Sequence, residues 1–429
     1  MISPKALLTA ATELLRQALT FEHPFDAVAQ RFFREQRALG PRERALLADA
    51  AYTVLRRMRW FEQLASTGKG PRERRMALLA LALGDPDIGR WTAMLESSEA
   101  AWLEGCAQAA QAPLDEWPPA CRHNLPDWLA ERLQAQVGEK DFLPLAESLL
   151  GTAPLDVRVN LLKEKRHQIL AELAKEAIDS EATRYSPWGL RLKGKHSLAR
   201  IDAYQRGAIE VQDEGSQLLA LLLDARRGEM VADFCAGAGG KTLAIGAAMR
   251  NTGRLYAFDT SAHRLQALQP RLAKSGLNIV YPSAIAHEND ARLSRLAGKM
   301  DRVLVDAPCS GLGTLRRSPD LKWRTSPAEI QAVQERQRAI LAAAARLLKP
   351  GGRLVYATCS LLEEENEDVA KAFGAIQGGF SPLGLGSVLG ALRVPEAESL
   401  CSPDGQFLRL WPHRHGTDGF FAAAWTKQR

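Results

Sequence analysis

Asp233-Phe234-Cys235-Ala236-Gly237-Ala238-Gly239-Gly240-Lys241-Thr242 is the stretch on which this sequence turns. It follows the short apolar run Met230-Val231-Ala232 and opens a helix. Glycines in such a turn let a ligand approach the backbone and leave amide N–H groups exposed at the helix N-terminus. Strand, glycine turn and helix in this order are the first unit of an α/β fold. A P-loop would need glycine five positions before Gly240, where Cys235 stands, and a dinucleotide fingerprint would need glycine at Thr242. Both patterns fail.

The remaining reading is the nucleoside-binding loop of an S-adenosylmethionine (SAM) enzyme, which needs no phosphate cradle. It does need an acid at the end of the next strand to accept ribose hydroxyls. Leu255-Tyr256-Ala257-Phe258 ends at Asp259, 22 residues after Gly237. Further on, Val303-Leu304-Val305 ends at Asp306 and Arg353-Leu354-Val355-Tyr356 ends at Ala357. Strands alternating with amphipathic helices predict a mostly parallel sheet covered on both faces. Ser326-Pro327-Ala328-Glu329 is a capping box that starts a helix, and Lys349-Pro350-Gly351-Gly352 is expected to end it. Pro270 should kink or end the predicted helix 262–274.

The pattern changes towards the N-terminus. Leu155-Asp156-Val157-Arg158-Val159-Asn160 alternates as a half-buried strand does, a helical stretch runs from Ile169 to Ile178, and Gly189-Leu190-Arg191-Leu192 follows. Residues 1 to about 110 carry apolar side chains at three- and four-residue spacing and read as helices, broken at Gly40-Pro41 and Gly68-Lys69-Gly70-Pro71. The expected division is a helical domain over 1–124, a linker helix with a small α/β module over 125–210, and a Rossmann-like domain over 211–429.

The chain has 429 residues, 46% hydrophobic and 25% charged, which fits a soluble globular protein and excludes a collagen, a disordered tail or a disulfide scaffold. No apolar run is long enough for a membrane span, and Met1-Ile2-Ser3-Pro4-Lys5 lacks the core of a secretory signal. The six cysteines form no CxxC pair, which argues against zinc and disulfides and for a reducing cytoplasm. The net charge of +6 is unevenly spread. Residues 1–75 hold 14 basic and 8 acidic side chains, residues 76–150 hold 4 and 12, and the remainder 38 and 30. Basic segments flanking an acidic one fit either contact with a polyanion or an uneven solvated surface.

Asp306-Ala307-Pro308-Cys309-Ser310-Gly311 and Thr358-Cys359-Ser360 both sit at strand ends. In an open α/β sheet those ends line the ligand crevice, so two cysteines 50 residues apart can face one site. A lone cysteine is usually a small buried hydrophobe; two at strand ends, one beside a carboxylate, are not well explained that way.

On these motifs, residues 155–425 resemble the Sun/Fmu family of RNA cytosine-C5 methyltransferases, within the Nop/Sun superfamily. Arg158-Val159-Asn160, Val211-Gln212-Asp213-Glu214-Gly215-Ser216-Gln217, the glycine loop, Asp306 to Gly313, Tyr356 to Ser360 and Asp418-Gly419-Phe420-Phe421 carry the resemblance. Leu39 to Leu47 and Val54-Leu55-Arg56-Arg57 are similar to the NusB-like RNA-binding domain of the bacterial 16S rRNA enzyme.

The resemblance implies a Rossmann-like SAM methyltransferase domain and methylation of cytosine C5 in RNA, small-subunit rRNA above all. It implies Cys359 as nucleophile, Asp306 at the cytosine N3, and Cys309 in release of the product. SAM would be held by Cys235, Ala236, Gly237, Ala238, Gly239, Gly240 and Lys241, by Asp259 at the ribose, by Arg264 and Asp306, and by Asp290 or Glu288 at the adenine. Lys241 could instead lower a thiolate pKa, bind RNA or face solvent. Ala238 stands where the family usually has proline.

RNA contacts are expected from Arg158 and from Arg316, Arg317 and Lys322, where basic side chains lie beside Trp323. Glu363-Glu364-Glu365-Asn366-Glu367 reads as an acidic helix start rather than a metal site. No metal, no membrane and a monomer are expected. The competing readings are an RNA-binding ribosome-assembly factor of weakened activity, and methylation of another RNA such as tRNA or of DNA.

Overall fold

Met76-Ala77-Leu78-Leu79-Ala80-Leu81-Ala82 contains no polar residue, so a helix built from it has no face to offer water. In the computed structural model, which describes residues 2–194 and 196–429, this run lies in helix Arg72–Leu83 and all seven side chains are buried. Helices Pro4–Ala18, Pro41–Arg56, Met58–Ala65 and Ser97–Ala109 pack around it. Each of them turns one apolar stripe inward. The first buries Leu7, Leu8, Ala11, Leu14, Leu15 and Ala18, and Ser3 caps its N-terminus by accepting from the Ala6 N–H.

This bundle belongs to the first of two units, Met1–Thr152 with Thr314–Ser326. Helices Asp127–Val137 and Glu139–Leu150 belong to it as well. Its second piece, residues 314–326, is a strap stitched in by long-range hydrogen bonds. The Trp323 indole N–H donates to the Leu55 carbonyl at 2.8 Å, the Lys322 ammonium donates to the Arg56 carbonyl at 2.8 Å, and Arg56 donates to the Arg316 carbonyl at 2.7 Å. Asp320 accepts from the Phe25 N–H at 3.1 Å. That bond serves the exposed amide end of helix Phe25–Glu35, whose own cap residue, Pro24, offers no side-chain acceptor. Trp323 also packs against the bundle core. Trp323→Ala should therefore cost the chain roughly 2–3 kcal/mol of stability. Denaturant unfolding measures this, and an unchanged midpoint would mean the strap does not hold the unit together.

The second unit is Ala153–Gly313 with Pro327–Arg429. It begins with strands β1 (Leu155–Val159), β2 (Ser180–Ala182), β3 (Gly189–Leu192) and β4 (Ile209–Val211), an antiparallel sheet in the order β2-β3-β1-β4. Helix Arg166–Lys175 covers it, with Ile169 and Leu173 packed on Val157, Val159, Leu190 and Leu192.

The larger sheet contains β5 (Met230–Asp233), β6 (Arg254–Asp259), β7 (Val280–Ala284), β8 (Met300–Asp306), β9 (Leu348–Thr358), β10 (Phe380–Leu383), β11 (Leu408–Leu410) and β12 (Phe420–Lys427). Its order is β10-β12-β9-β8-β5-β6-β7, with β11 paired to β12. The five strands β7, β6, β5, β8 and β9 are parallel, and β12 and β10 add an antiparallel edge. This is the expected Rossmann-like architecture. The winding reverses between β5 and β8, which is where a doubly wound sheet opens a crevice at the carboxyl ends of its strands.

One local expectation is narrowed, since Pro270 does not end its helix, and a second is corrected. Helix Ala262–Ser275 runs through Pro270 and ends at Gly276, which is left-handed (φ 80°). Pro270 is exposed, so the carbonyl that loses its helical partner can turn to water. Helix Pro327–Ala345 stops before Lys349-Pro350-Gly351-Gly352, and those residues belong to the first part of β9, beside a register shift against β8. Among the described residues, no helix is long and apolar enough to cross a membrane.

Candidate active site

The glycine loop leaves β5 and enters helix Gly240–Ala248 with Gly237 at φ 55° and Gly239 at φ 84°. A β-carbon on Gly239 would lie 2.1 Å from a Leu268 methyl, so conformation and space both demand glycine there. The loop is tied to the next strand end. The Gly237 N–H donates to Asp259 Oδ2 at 2.8 Å and the Ser261 N–H donates to Asp259 Oδ1 at 2.7 Å. Asp259 thus has a fixed orientation at the rim of a cavity of about 570 Å³. Cys235, Asp259 and Arg264 line this cavity, as do Ile285, Glu288 and Pro308.

Asp290 is not among the lining residues. It caps helix Ala291–Ser294, accepts from the Ala286 N–H at 2.8 Å and pairs with Arg292 at 3.0 Å. Those bonds, the one to the Arg292 side chain foremost, hold its carboxyl far below the usual carboxylate range. Glu288 lines the cavity, as Asp259 does.

At the foot of the loop, Asp233 is buried. Its Oδ2 accepts from the Thr242 hydroxyl at 2.7 Å and its Oδ1 has no partner among the described residues. Burial pushes its carboxyl up to about 7. A raised carboxyl favours the folded state most at low pH, and that contribution is lost as pH rises from the unfolded value near 4 through 7. The thermal midpoint of Asp233→Asn relative to the parent should accordingly climb between about pH 4 and 7. A pH-independent difference would refute an ionisation at this position.

Asp306 ends β8 opposite Ala357 of β9. The Lys241 ammonium lies 2.8 Å from Asp306 Oδ2. Burial opposes the charge on Lys241, but Asp306 outweighs it and raises the ammonium's pKa, with Cys359 adding to the effect. The two loops that continue β8 and β9 bring Cys309 Sγ to 3.3 Å from Cys359 Sγ. Hydrogen bonding to Cys359, then desolvation, then nearby negative charge including Glu365 hold the Cys309 thiol well above its ordinary value. Beyond Cys309, the Gly313 N–H donates to the Cys359 carbonyl, and the Gly419 N–H to the Gly313 carbonyl, each at 2.8 Å. A β-carbon on Gly313 would sit 2.1 Å from the Gly419 oxygen, so this crossing excludes any larger residue.

Three basic residues expected at an RNA surface are buried. Arg158 donates to Gln212 at 2.7 Å inside the small sheet, and burial pushes it down to about 10. Arg316 and Lys322 are buried in the strap, where desolvation, then Arg56, Arg57 and Arg59, lower the Lys322 ammonium well below its ordinary value. They serve the fold rather than a phosphate. Arg317 is half-buried.

Sequence reading also missed Glu365. It lies in a short 3-10 turn, Glu363–Glu365, before helix Glu367–Ile376, and it is fully buried. An acidic run reads as a solvated helix start, and nothing local separates its third member from the other two.

Residues 220–426 match the family model described as 16S rRNA methyltransferase RsmB/F, and residues 125–199 match its ferredoxin-like domain. A ribosomal RNA small subunit methyltransferase B of Shewanella oneidensis is 30% identical over 405 residues, 89% of this chain and 90% of that protein. The chain belongs to the RsmB/F family. A probable member from Bacillus subtilis is 34% identical over 307 residues, 71% of this chain, and the match spans 66% of that relative, just under two thirds of its length. Among solved structures, PH0851 superposes with a TM-score of 0.78 at 26% identity over the whole of both chains. A methyltransferase homologue from Pyrococcus horikoshii superposes with a TM-score of 0.61 at 29% identity, over 73% of this RsmB/F chain and 98% of its own.

Proposed function

We propose that the chain transfers a methyl group from SAM to C5 of a cytosine in small-subunit rRNA, in the cytoplasm. The observation that carries this reading is the pair of sulfurs 3.3 Å apart at the ends of two adjacent strands. One lies three residues beyond a carboxylate that is paired with a lysine. The cavity beside them is large enough for a nucleoside and has an oriented acid for the ribose hydroxyls. SAM bound there supplies an electrophilic methyl group. The family membership, and relatives named as small-subunit methyltransferases, support the choice of RNA.

Cytosine C5 is a poor nucleophile, and the work of this chain is to change that. Cys359 adds as thiolate to C6, which forms the S–C6 bond and turns C5 into the carbon of an enamine. Lys241, held on Asp306 at 2.8 Å, places a positive charge in the site. Asp306 meets the base at N3, where charge develops as C6 is attacked. C5 then takes the methyl. Once Cys359 is a thioether its hydrogen bond and charge no longer hold up the Cys309 thiol, so Cys309 can ionise and take the C5 proton. Expulsion of Cys359 restores the C5=C6 bond. The base must leave its stack for C6 to be reached.

The test is incubation with SAM and small-subunit RNA lacking the modification, followed by mapping of 5-methylcytosine. Appearance of one modified cytosine supports the reading; its absence with this RNA, and its appearance with tRNA or DNA, would reassign the substrate.

A further inference from the structure

Glu365 has no part in the chemistry above, yet it is wired to both cysteine loops. Its Oε2 accepts from the Ser310 N–H at 2.8 Å and from Gln337 Nε2 at 3.1 Å. Its Oε1 accepts from the Ser310 hydroxyl at 2.5 Å and from the Ser360 hydroxyl. Ser310 follows Cys309 and Ser360 follows Cys359, and the two serine oxygens are 3.2 Å apart. All four donors are neutral, and Glu365 is fully buried. A buried carboxylate is expensive unless its oxygens are filled. Filling them here pulls together the two residues next to the reactive sulfurs. The backbone around Glu365 is also anchored. Its carbonyl accepts from the Tyr356 hydroxyl at 2.5 Å, and Asn366 beside it accepts from Thr358 and donates to the Ser360 carbonyl at 3.1 Å.

We infer that Glu365 is a positioning residue for methyl transfer: its carboxylate clamps the Cys309 and Cys359 loops together and, by its charge, directs nucleophilic character to Cys359. The inference rests on the reading of Cys359 as the nucleophile.

The charges around the thiols are arranged for this. Lys241, from the helix after the glycine loop, acts on Cys359 and is paired with Asp306 at the end of β8. Glu365 acts on Cys309 from the opposite loop, and Tyr356 of β9 and Cys235 of the glycine loop are further ionisable groups nearby. Lys241 is held on Asp306 at the end of β8, whereas Glu365 is held on the serines that follow the two cysteines, so a cation and an anion are fixed in the site by different partners. Neutralising Glu365 should loosen the hydrogen bonds that hold the two cysteine loops in register and so change the relative reactivity of the sulfurs.

Glu365→Gln keeps the shape and removes the charge. Two measurements read the effect. Alkylation by iodoacetamide from about pH 6 to 9, followed by peptide mass spectrometry, gives the rate at each cysteine. In the parent, Cys359 should react roughly tenfold faster than Cys309, and Glu365→Gln should bring the ratio to within about threefold. In methyl transfer to RNA, kcat should fall roughly 10- to 100-fold while the KM for SAM stays within about twofold. A purely structural role would lower both activity and SAM binding and leave the alkylation ratio alone. Ser310→Ala and Ser360→Ala each remove one donor and carry the same test if Glu365→Gln does not fold; each should shift the ratio in the same direction. An unchanged alkylation ratio in Glu365→Gln, or in both serine variants, overturns the inference. If the parent methylates no RNA, the substrate reading fails, and the alkylation ratio still decides the clamp.

Discussion

Cys359→Ala should abolish methyl transfer, with a fall in rate of at least about 10,000-fold. The reason lies in what remains once the thiol is gone. On the proposed reading SAM should still find its cavity, because Cys235, Asp259 and Arg264 are untouched. The base still meets Asp306. Nothing adds to C6, however, so C5 never becomes nucleophilic enough to take the methyl. Incorporation of labelled methyl into small-subunit RNA measures the loss, and equilibrium binding of SAM within about twofold of the parent shows that the site is otherwise intact. Residual activity within tenfold of the parent would remove Cys359 from the role of nucleophile.

Cys309→Ala should do something different. On the proposed mechanism the first half of the reaction needs Cys359, Lys241 and Asp306, all present, so the adduct should form and the methyl should be transferred. Release requires loss of the C5 proton and expulsion of Cys359, and the base that sits 3.3 Å from the leaving sulfur is missing. RNA should accumulate on the protein through a bond that survives denaturing electrophoresis. Trapping in Cys359→Ala in place of Cys309→Ala would exchange the two assignments. The experiment is sharp because the two sulfurs are neighbours, so the variants differ little in shape and widely in expected outcome.

The parts of this site that could be read from the sequence are those fixed by backbone geometry. A strand end places its next residues at the rim of the sheet, so Asp259, Asp306, Cys309 and Cys359 were legible from apolar runs and the residues that stop them. The glycine loop was legible because only glycine accepts φ 84° against Leu268. What escaped depends on which distant groups a side chain meets. Asp290 and Glu288 are two residues apart and both are carboxylic acids, and only the folded chain separates them, Asp290 as a helix cap paired with Arg292 and Glu288 as a lining residue of the cavity. Lys322 looks like a surface cation until the Arg56 carbonyl, far away in sequence, is known to receive it. Glu365 looks like a solvated acid until Ser310 and Ser360 converge on it.

The strap at residues 314–326 bears on how the molecule is made. A ribosome releases Met1–Thr152 first, but this unit is short of a piece until residues 153–313 and then the strap have been made. Until that moment the carbonyls of Leu55 and Arg56 lack the donors that Trp323 and Lys322 will bring, and helix Phe25–Glu35 begins without Asp320. The unit that is translated first is therefore completed late, by contacts of high sequence separation that close slowly. For the same reason a cut at residue 152 does not yield two self-sufficient halves. Residues 153–429 would carry with them the closing segment of their neighbour, and its buried lysine would be left in water.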